Sequence, residues 1–285
     1  MIEHQYHQAK GIYLHVATAG PEDGQAVVLL HGFPEFSGAW QKQILALAEA
    51  GYRVIAPDQR GYYLSDKPSP TAAYRDTELV ADIIALLDAL NIEQAVIIGH
   101  DWGGAVAWWL AAQHPDRVAR LIILNSPHPV AMRQALQTWR QKLKSSYMQF
   151  FNIPFVSEKL LGLGGGFLLW QGIRRTARPH AFNAADRKRY QEAWRQPNAI
   201  KGMLNWYRAL LRHGASIRVG KISCPTLIIW GERDAFFSTR MAHDSAHMCE
   251  NVQLHLLPEA THWLHHEDPD HINTLIATFL SVQNP

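Results

Sequence analysis

Short runs made mostly of valine, isoleucine and leucine recur along the chain: Val27–Leu30, Val54–Ala56, Ala95–Ile98, Leu121–Leu124, Leu227–Trp230 and Gln253–Leu256. A run that is apolar without polar alternation suits a strand covered on both faces. An earlier candidate strand is Ile12–Ala17. Helical patterns separate the runs. Leu79, Ile83, Leu86, Leu87 and Leu90 recur at the three-to-four-residue spacing of one helix face, and Trp102–Ala112 forms a second helix. The last helix begins at "EDPDH", where Asp268 can cap and Pro269 suits the first turn; Ile272, Leu275, Ile276, Phe279 and Leu280 form its buried stripe. Strands alternating with helices imply an α/β chain with a mostly parallel sheet and helices on both faces.

The alternation stops between about Pro127 and Gly214, where the chain is helical, aromatic and basic. "CPTLIIWGERD" then resumes the strand pattern. With 285 residues, 47% of them hydrophobic, the chain can bury one large core that carries an insertion. The expected organisation is core at 1–127, a helical cap at 128–214, and core again at 215–285. An insertion at the C-terminal ends of strands can act as a lid over a site there.

Composition narrows the class. A net charge of +2 without a long run of one sign gives no expectation of a nucleic-acid groove or a polybasic membrane patch, and "DRKRY" mixes both signs. Two cysteines, Cys224 and Cys249, argue against a disulfide framework and against a cysteine zinc site. The N-terminal "MIEHQYHQAKG" lacks an apolar signal core, and no run reaches eighteen apolar residues. A soluble, cytoplasmic protein with no membrane span is expected, as monomer or homodimer.

"IIGHDWGG" joins the strand Ala95–Ile98 to the helix Trp102–Ala112. Gly99 and Gly103 fit the strand-to-helix elbow G-x-S-x-G, with Asp101 where serine would stand. A helix-capping aspartate is the plain alternative. Three further segments follow predicted strands. "LLHGFPEF" lies where such folds place a second oxyanion donor; His31 within it is read as structural. "WGERDAFF" carries Asp234, and "THWLHHEDP" carries His262. Elbow, acid and histidine thus occur in the chain order of the α/β-hydrolase triad.

Two competing patterns are weaker. His262, His265, His266 and His271 lie close in sequence but do not match the H-E-x-x-H zinc pattern, so no metal is expected. "GLGGG" at Gly162–Gly166 lacks the final glycine and the preceding strand of a dinucleotide loop, and reads as a turn in the lid.

A carboxylate attacking an ester or amide would give a reactive anhydride. Displacement at a saturated, electrophilic carbon gives a stable alkyl ester instead. His262, oriented by Asp234, would activate the water that hydrolyses this ester. The backbone N–H groups of Phe33 and Trp102 would hold the oxyanion. Asp101 therefore points to epoxides or alkyl halides, and the chemistry needs no cofactor.

Over nearly its full length the chain resembles the α/β-hydrolase-fold epoxide hydrolases, through "LLHGFPEF", "PDQRGY", "GHDWGG", "NSPHP", "GERDAFF" and "THWLHHEDP". Several of these segments are shared with haloalkane dehalogenases. The resemblance implies two lid tyrosines that hold the epoxide oxygen: Tyr147 in "SSYMQFFNIP" and Tyr207 in "MLNWYRALL". Tyr190 and Tyr6 are read as ordinary lid aromatics. Haloalkane dehalogenases cradle the halide with N–H donors, commonly from the Trp after the nucleophile and an Asn or second Trp; the second position here is Phe33, which offers no side-chain donor. Fluoroacetate dehalogenases typically carry Arg where this chain has Trp102. Glu35 is a candidate water-positioning residue, with a structural salt bridge as the alternative; Glu267 and His266 are weaker supporting candidates. The expected partner is a small apolar epoxide, and Phe150, Phe151, Phe155, Phe167, Trp170 and Trp206 suggest an apolar pocket. Haloalkane dehalogenase, another aspartate-nucleophile hydrolase, and a non-catalytic ligand-binding member of the fold are the alternatives.

Overall fold

The apolar runs lie side by side in one sheet. The computed structural model describes residues 1–282. Its strands are β1 (Glu3–Ala9), β2 (Ile12–Ala19), β3 (Ala26–Leu30), β4 (Arg53–Pro57), β5 (Ala95–His100), β6 (Val118–Leu124), β7 (Thr226–Gly231) and β8 (Val252–Leu257). They are ordered β1-β2-β4-β3-β5-β6-β7-β8. β1 and β2 run antiparallel to their neighbours, and β4 through β8 pair in parallel.

Successive strand residues point to opposite faces, which divides the core in two. Val28, Ile97, Ile123 and Ile228 face α2 (Asp76–Ala89) and α3 (Asp101–Gln113), while Val27, Val96, Ile98 and Ile122 face α1 (Gln41–Glu49) and the C-terminal helix. Each such side chain is fully buried and contributes about 1.5–3 kcal/mol. With helices on both faces, the central strands need no polar alternate; the edge strand β8, V-Q-L-H-L-L, keeps one.

β1 escaped the sequence reading. "EHQYHQA" carries no apolar pattern because it is an edge strand with most residues exposed. Only its pairing with β2, from Glu3 opposite Thr18 to Ala9 opposite Ile12, makes it a strand. Tyr6 lies on this strand, half-exposed, so its assignment to the lid was wrong.

Seven helices fill the interval between β6 and β7: α4 (Pro129–Ala135), α5 (Trp139–Lys144), α6 (Tyr147–Phe151), α7 (Val156–Gly162), α8 (Phe167–Thr176), α9 (Ala184–Trp194) and α10 (Ala199–His213). The interval leaves β6 at the sheet edge that carries the elbow and returns to the opposite edge, where β7 begins parallel to β6. Two indoles tie it to the core: Trp194 donates to the Pro34 carbonyl at 2.7 Å and Trp206 to that of Arg60 at 2.9 Å. "GLGGG" forms the turn from α7 to α8, and a side chain at Gly166 would strike the Trp194 ring. The remaining helices are α11 (Thr239–Ala246), α12 (Leu264–Glu267) and α13 (Pro269–Ser281), with the Asp268 carboxylate capping α13 at the His271 N–H. Among the described residues no helix is long and apolar enough to cross a membrane.

Candidate active site

The elbow after β5 is forced by crowding. A Cβ at Gly103 would lie 2.0 Å from the Leu30 carbonyl oxygen, and one at Gly104 would lie 2.3 Å from the Ser126 Cβ. Glycine is therefore required for α3 to start so close to β3 and β6. The turn holds Asp101 at φ 49°, a left-handed conformation uncommon for a residue with a side chain.

The two Asp101 oxygens have different surroundings. Oδ1 accepts the Phe33 N–H at 2.9 Å. Oδ2 faces Nε2 of His262 at 3.6 Å, too long for a hydrogen bond. Trp102 opens α3, so helix geometry gives its N–H no intrahelical acceptor. Of the two backbone donors foreseen in the sequence, the Phe33 N–H meets the Asp101 carboxylate, and the Trp102 N–H follows Asp101 in the first turn of α3. Burial opposes the charge of Asp101, but His262, His100 and the Phe33 N–H outweigh it and hold its carboxyl below the usual range.

His262 Nδ1 lies 2.8 Å from Oδ2 of Asp234. The same oxygen accepts the Asn125 amide at 2.6 Å, and Oδ1 accepts the N–H groups of Phe236 and Phe237 at 2.6 and 2.9 Å. Asp234 is therefore locked by four donors. Burial disfavours a charged His262, yet Asp234 on one side and Asp101 on the other raise it to about 10.

Asn125 was not singled out in the sequence. It stands just after β6, and its amide oxygen also accepts the Gly231 N–H at 2.8 Å, so it joins the ends of β6 and β7. Its position in "NSPHP", directly after a strand, was the available signal. His31 is buried, accepts the Gln59 N–H at 3.0 Å, and contacts the Gly32 carbonyl through its other nitrogen.

Tyr147 and Tyr207 come from the insertion and meet over this site. The Tyr207 ring lies 5.1 Å from both Phe33 and Trp102, and 6.0 Å from Tyr147. Tyr147 packs on Phe236, which packs on His262. Burial raises both phenols, and the Asp101 charge raises them further, so both remain proton donors at neutral pH. In "NWYR" the neighbours of Tyr207 hold α10 in place: Trp206 grips the Arg60 carbonyl, and Arg208 bonds the Phe151 carbonyl and Glu158.

Glu35, expected near the catalytic water, has both oxygens taken by side chains. Oε2 meets His100 Nδ1 at 2.9 Å, and Oε1 meets both His266 Nε2 and the Tyr190 hydroxyl at 2.8 Å. His100 in turn donates from Nε2 to the His262 carbonyl at 2.9 Å. Burial opposes the Glu35 charge, but His265, His100 and His266 hold its carboxyl well below the usual range. Tyr190, read as an ordinary lid aromatic, thus ties α9 to a buried carboxylate. Glu267 instead accepts from Thr261 and from the Arg178 N–H.

The four neighbouring histidines do not converge on one point. His262 faces Asp101 and Asp234, whereas His271 is exposed. Among the described residues, the one group with metal-ligand proximity is Glu35, His265 and His266, whose ligand atoms lie within 4.8 Å of one another. The pocket aromatics also separate. Phe151 and Trp206 pack around Tyr207 and Trp102, and Trp170 is buried inside the insertion. Phe155 and Phe167 lie on the outer surface, against the expectation that they line a pocket.

Known proteins share this architecture. A family model described as alpha/beta hydrolase fold matches residues 25–269. The chain is 46% identical over 280 residues to the AB hydrolase superfamily protein YfhM of Bacillus subtilis, covering 98% of each. It is 37% identical to Epoxide hydrolase 4 of Homo sapiens, over 96% of this chain and 77% of that protein. The crystal structure of a Bacillus megaterium epoxide hydrolase in complex with an inhibitor superposes with a TM-score of 0.89 at 29% identity, over 98% of this chain and all of the other. With the elbow, the acid and the histidine seated in this fold, the chain is a hydrolase that belongs to the α/β-hydrolase-fold epoxide hydrolase family.

Proposed function

We propose that the protein adds water to a small apolar epoxide, giving a vicinal diol through an alkyl ester on Asp101, beneath a cap formed by residues 128–214. The observation that carries this reading is a pair of phenols, the buried Tyr207 and the partly buried Tyr147, beside a carboxylate elbow. Loss of a halide needs no proton. An epoxide oxygen leaves as an alkoxide and does.

In the first step Oδ2 of Asp101 forms a bond to a ring carbon as the carbon–oxygen bond breaks. The released oxygen takes a proton from one phenol. Esterification removes the Asp101 charge, and with it one of the two carboxylates that hold a proton on His262. The imidazolium then returns a proton to the phenolate and becomes a base. In the second step neutral His262 takes a proton from water as the water oxygen bonds to Cγ of Asp101. The oxyanion develops on Oδ1, which already accepts the Phe33 N–H, with the Trp102 N–H beside it. Collapse breaks the Cγ–Oδ2 bond, the second proton of the attacking water passes to Oδ2 as it leaves with the diol, and the carboxylate is restored beside the imidazolium. Glu35 acts at one remove, by fixing His100 and through it the backbone of His262.

Mass spectrometry of a His262→Gln variant incubated with styrene oxide tests the mechanism. A substrate adduct is expected on the Asp101 peptide; an unmodified peptide alongside a bound substrate rejects the covalent route. Changing Tyr147 and Tyr207 together to Phe is expected to remove epoxide opening. A double variant with full activity would remove the phenols, and with them the argument against halide displacement, which a haloalkane assay would then decide.

A further inference from the structure

The charge of the chain is divided between its parts. Residues 128–214 carry 15 Lys and Arg against 3 Asp and Glu, a formal +12, whereas the remainder carries 12 against 22, a formal −10. The overall +2 hides this, so the expectation of no basic membrane-facing surface was drawn from an average.

The insertion pairs none of its Lys or Arg side chains with a core carboxylate among the described residues. Among the described residues its Lys and Arg side chains form two ion pairs with carboxylates, Arg189–Asp186 and Arg208–Glu158, both within the insertion. Lys159, Arg174, Arg175, Arg187 and Lys188 are exposed.

The same region carries the main exposed apolar surface. Phe155 is 84% exposed and Leu163 53%, with Val156 and Leu160 beside them on α7 and Phe167 and Leu168 opening α8. Val156, Leu160 and Leu163 follow the spacing of one helix face, and α7 packs directly against α8. Lys159 sits within this face, and Arg174 and Arg175 end α8. Phe155 keeps its ring in the open at φ 63°, a strained conformation for a bulky residue. Large apolar side chains fringed by lysine and arginine match the chemistry of an anionic bilayer surface: hydrocarbon below, phosphate above. A symmetric dimer through this face would bring +12 against +12.

We propose that the α7–α8 face of the insertion docks on anionic lipid surfaces, with Phe155 and Leu163 entering the interface and the surrounding basic residues contacting the headgroups. The inference is independent of the epoxide reading, because binding is measured without substrate.

The test is co-sedimentation of the full chain with phosphatidylcholine vesicles containing about one third phosphatidylglycerol, against pure phosphatidylcholine vesicles. Binding to the anionic vesicles alone is expected. It should weaken sharply as salt rises from about 0.1 M to about 1 M, where the screening length falls from roughly 10 to 3 Å. Lys159→Glu with Arg174→Glu and Arg175→Glu should weaken binding by about a hundredfold or more, since each basic residue near such a surface contributes about fivefold. Phe155→Ser with Leu163→Ser should weaken it while leaving turnover of a water-soluble substrate unchanged, which confirms folding. Equal binding to neutral vesicles, no binding to either, or a stable dimer dispersed by the Phe155 and Leu163 changes would each overturn the proposal.

Discussion

Two carboxylates on neighbouring strand ends, Asp101 after β5 and Glu35 after β3, are held in opposite ways. Both face histidine; the Glu35 side chain is fully enclosed, and that of Asp101 keeps 12% of its surface open. Glu35 is saturated: His100, His266 and Tyr190 lie within 2.9 Å of its oxygens. Asp101 has one short bond, from Phe33, and its second oxygen stands 3.6 Å from the nearest histidine nitrogen. A satisfied carboxylate has its lone pairs committed and serves the structure. An under-satisfied one on a strained elbow keeps a lone pair available for chemistry.

The sharpest way to break this contrast is to delete each carboxylate. Asp101→Ala is expected to lower turnover by about four orders of magnitude or more, the usual consequence of losing a covalent nucleophile. Its effect on urea stability should be smaller than that of the Glu35 change. Glu35→Gln should do the reverse. Removing one partner from a buried ionic cluster costs about 3–5 kcal/mol, read by urea denaturation, while turnover falls far less than with Asp101→Ala. If Glu35→Gln abolished turnover at unchanged stability, Glu35 would belong to the chemistry and the contrast would fail.

pH separates the two histidine environments more gently. His262 is raised to about 10 from an unfolded value near 6.5. Its stabilising contribution is therefore complete below about pH 6.5 and lost as pH rises through about 10. Glu35 is depressed, so its contribution is present above about pH 4.3 and lost as pH falls. Urea midpoints from acid to alkaline pH should show a His262→Gln deficit that shrinks toward pH 10. The Glu35→Gln deficit should shrink toward the acid end. A pH-independent His262→Gln deficit would mean that its proton is not held by the two aspartates.

The same contrast explains what could be read from sequence. Asp101, Asp234 and His262 each follow an apolar strand, so the sheet brings them together and their spacing along the chain gives their neighbourhood. Tyr207 was reached only through the family resemblance of "NWYR", whose Asn205, Trp206 and Arg208 fix α10 around it. The Glu35 cluster was not, because it joins four distant segments: the loop after β3, the end of β5, α9, and α12. No local pattern records that Tyr190 and His266 reach one carboxylate. β1 was missed for a related reason, since an exposed edge strand is defined by its partner rather than by its residues.

The unequal treatment of the two Asp101 oxygens has an isotopic consequence. In the proposed cycle Oδ1 stays on the protein, pinned by the Phe33 N–H, while Oδ2 leaves with each diol and a water oxygen takes its place. The carboxylate then works as a one-step memory, handing each substrate the oxygen it took from solvent in the turnover before. In ¹⁸O-labelled water the first diol should emerge unlabelled and later ones labelled. However many cycles run, one oxygen of Asp101 should become heavy and the other should not.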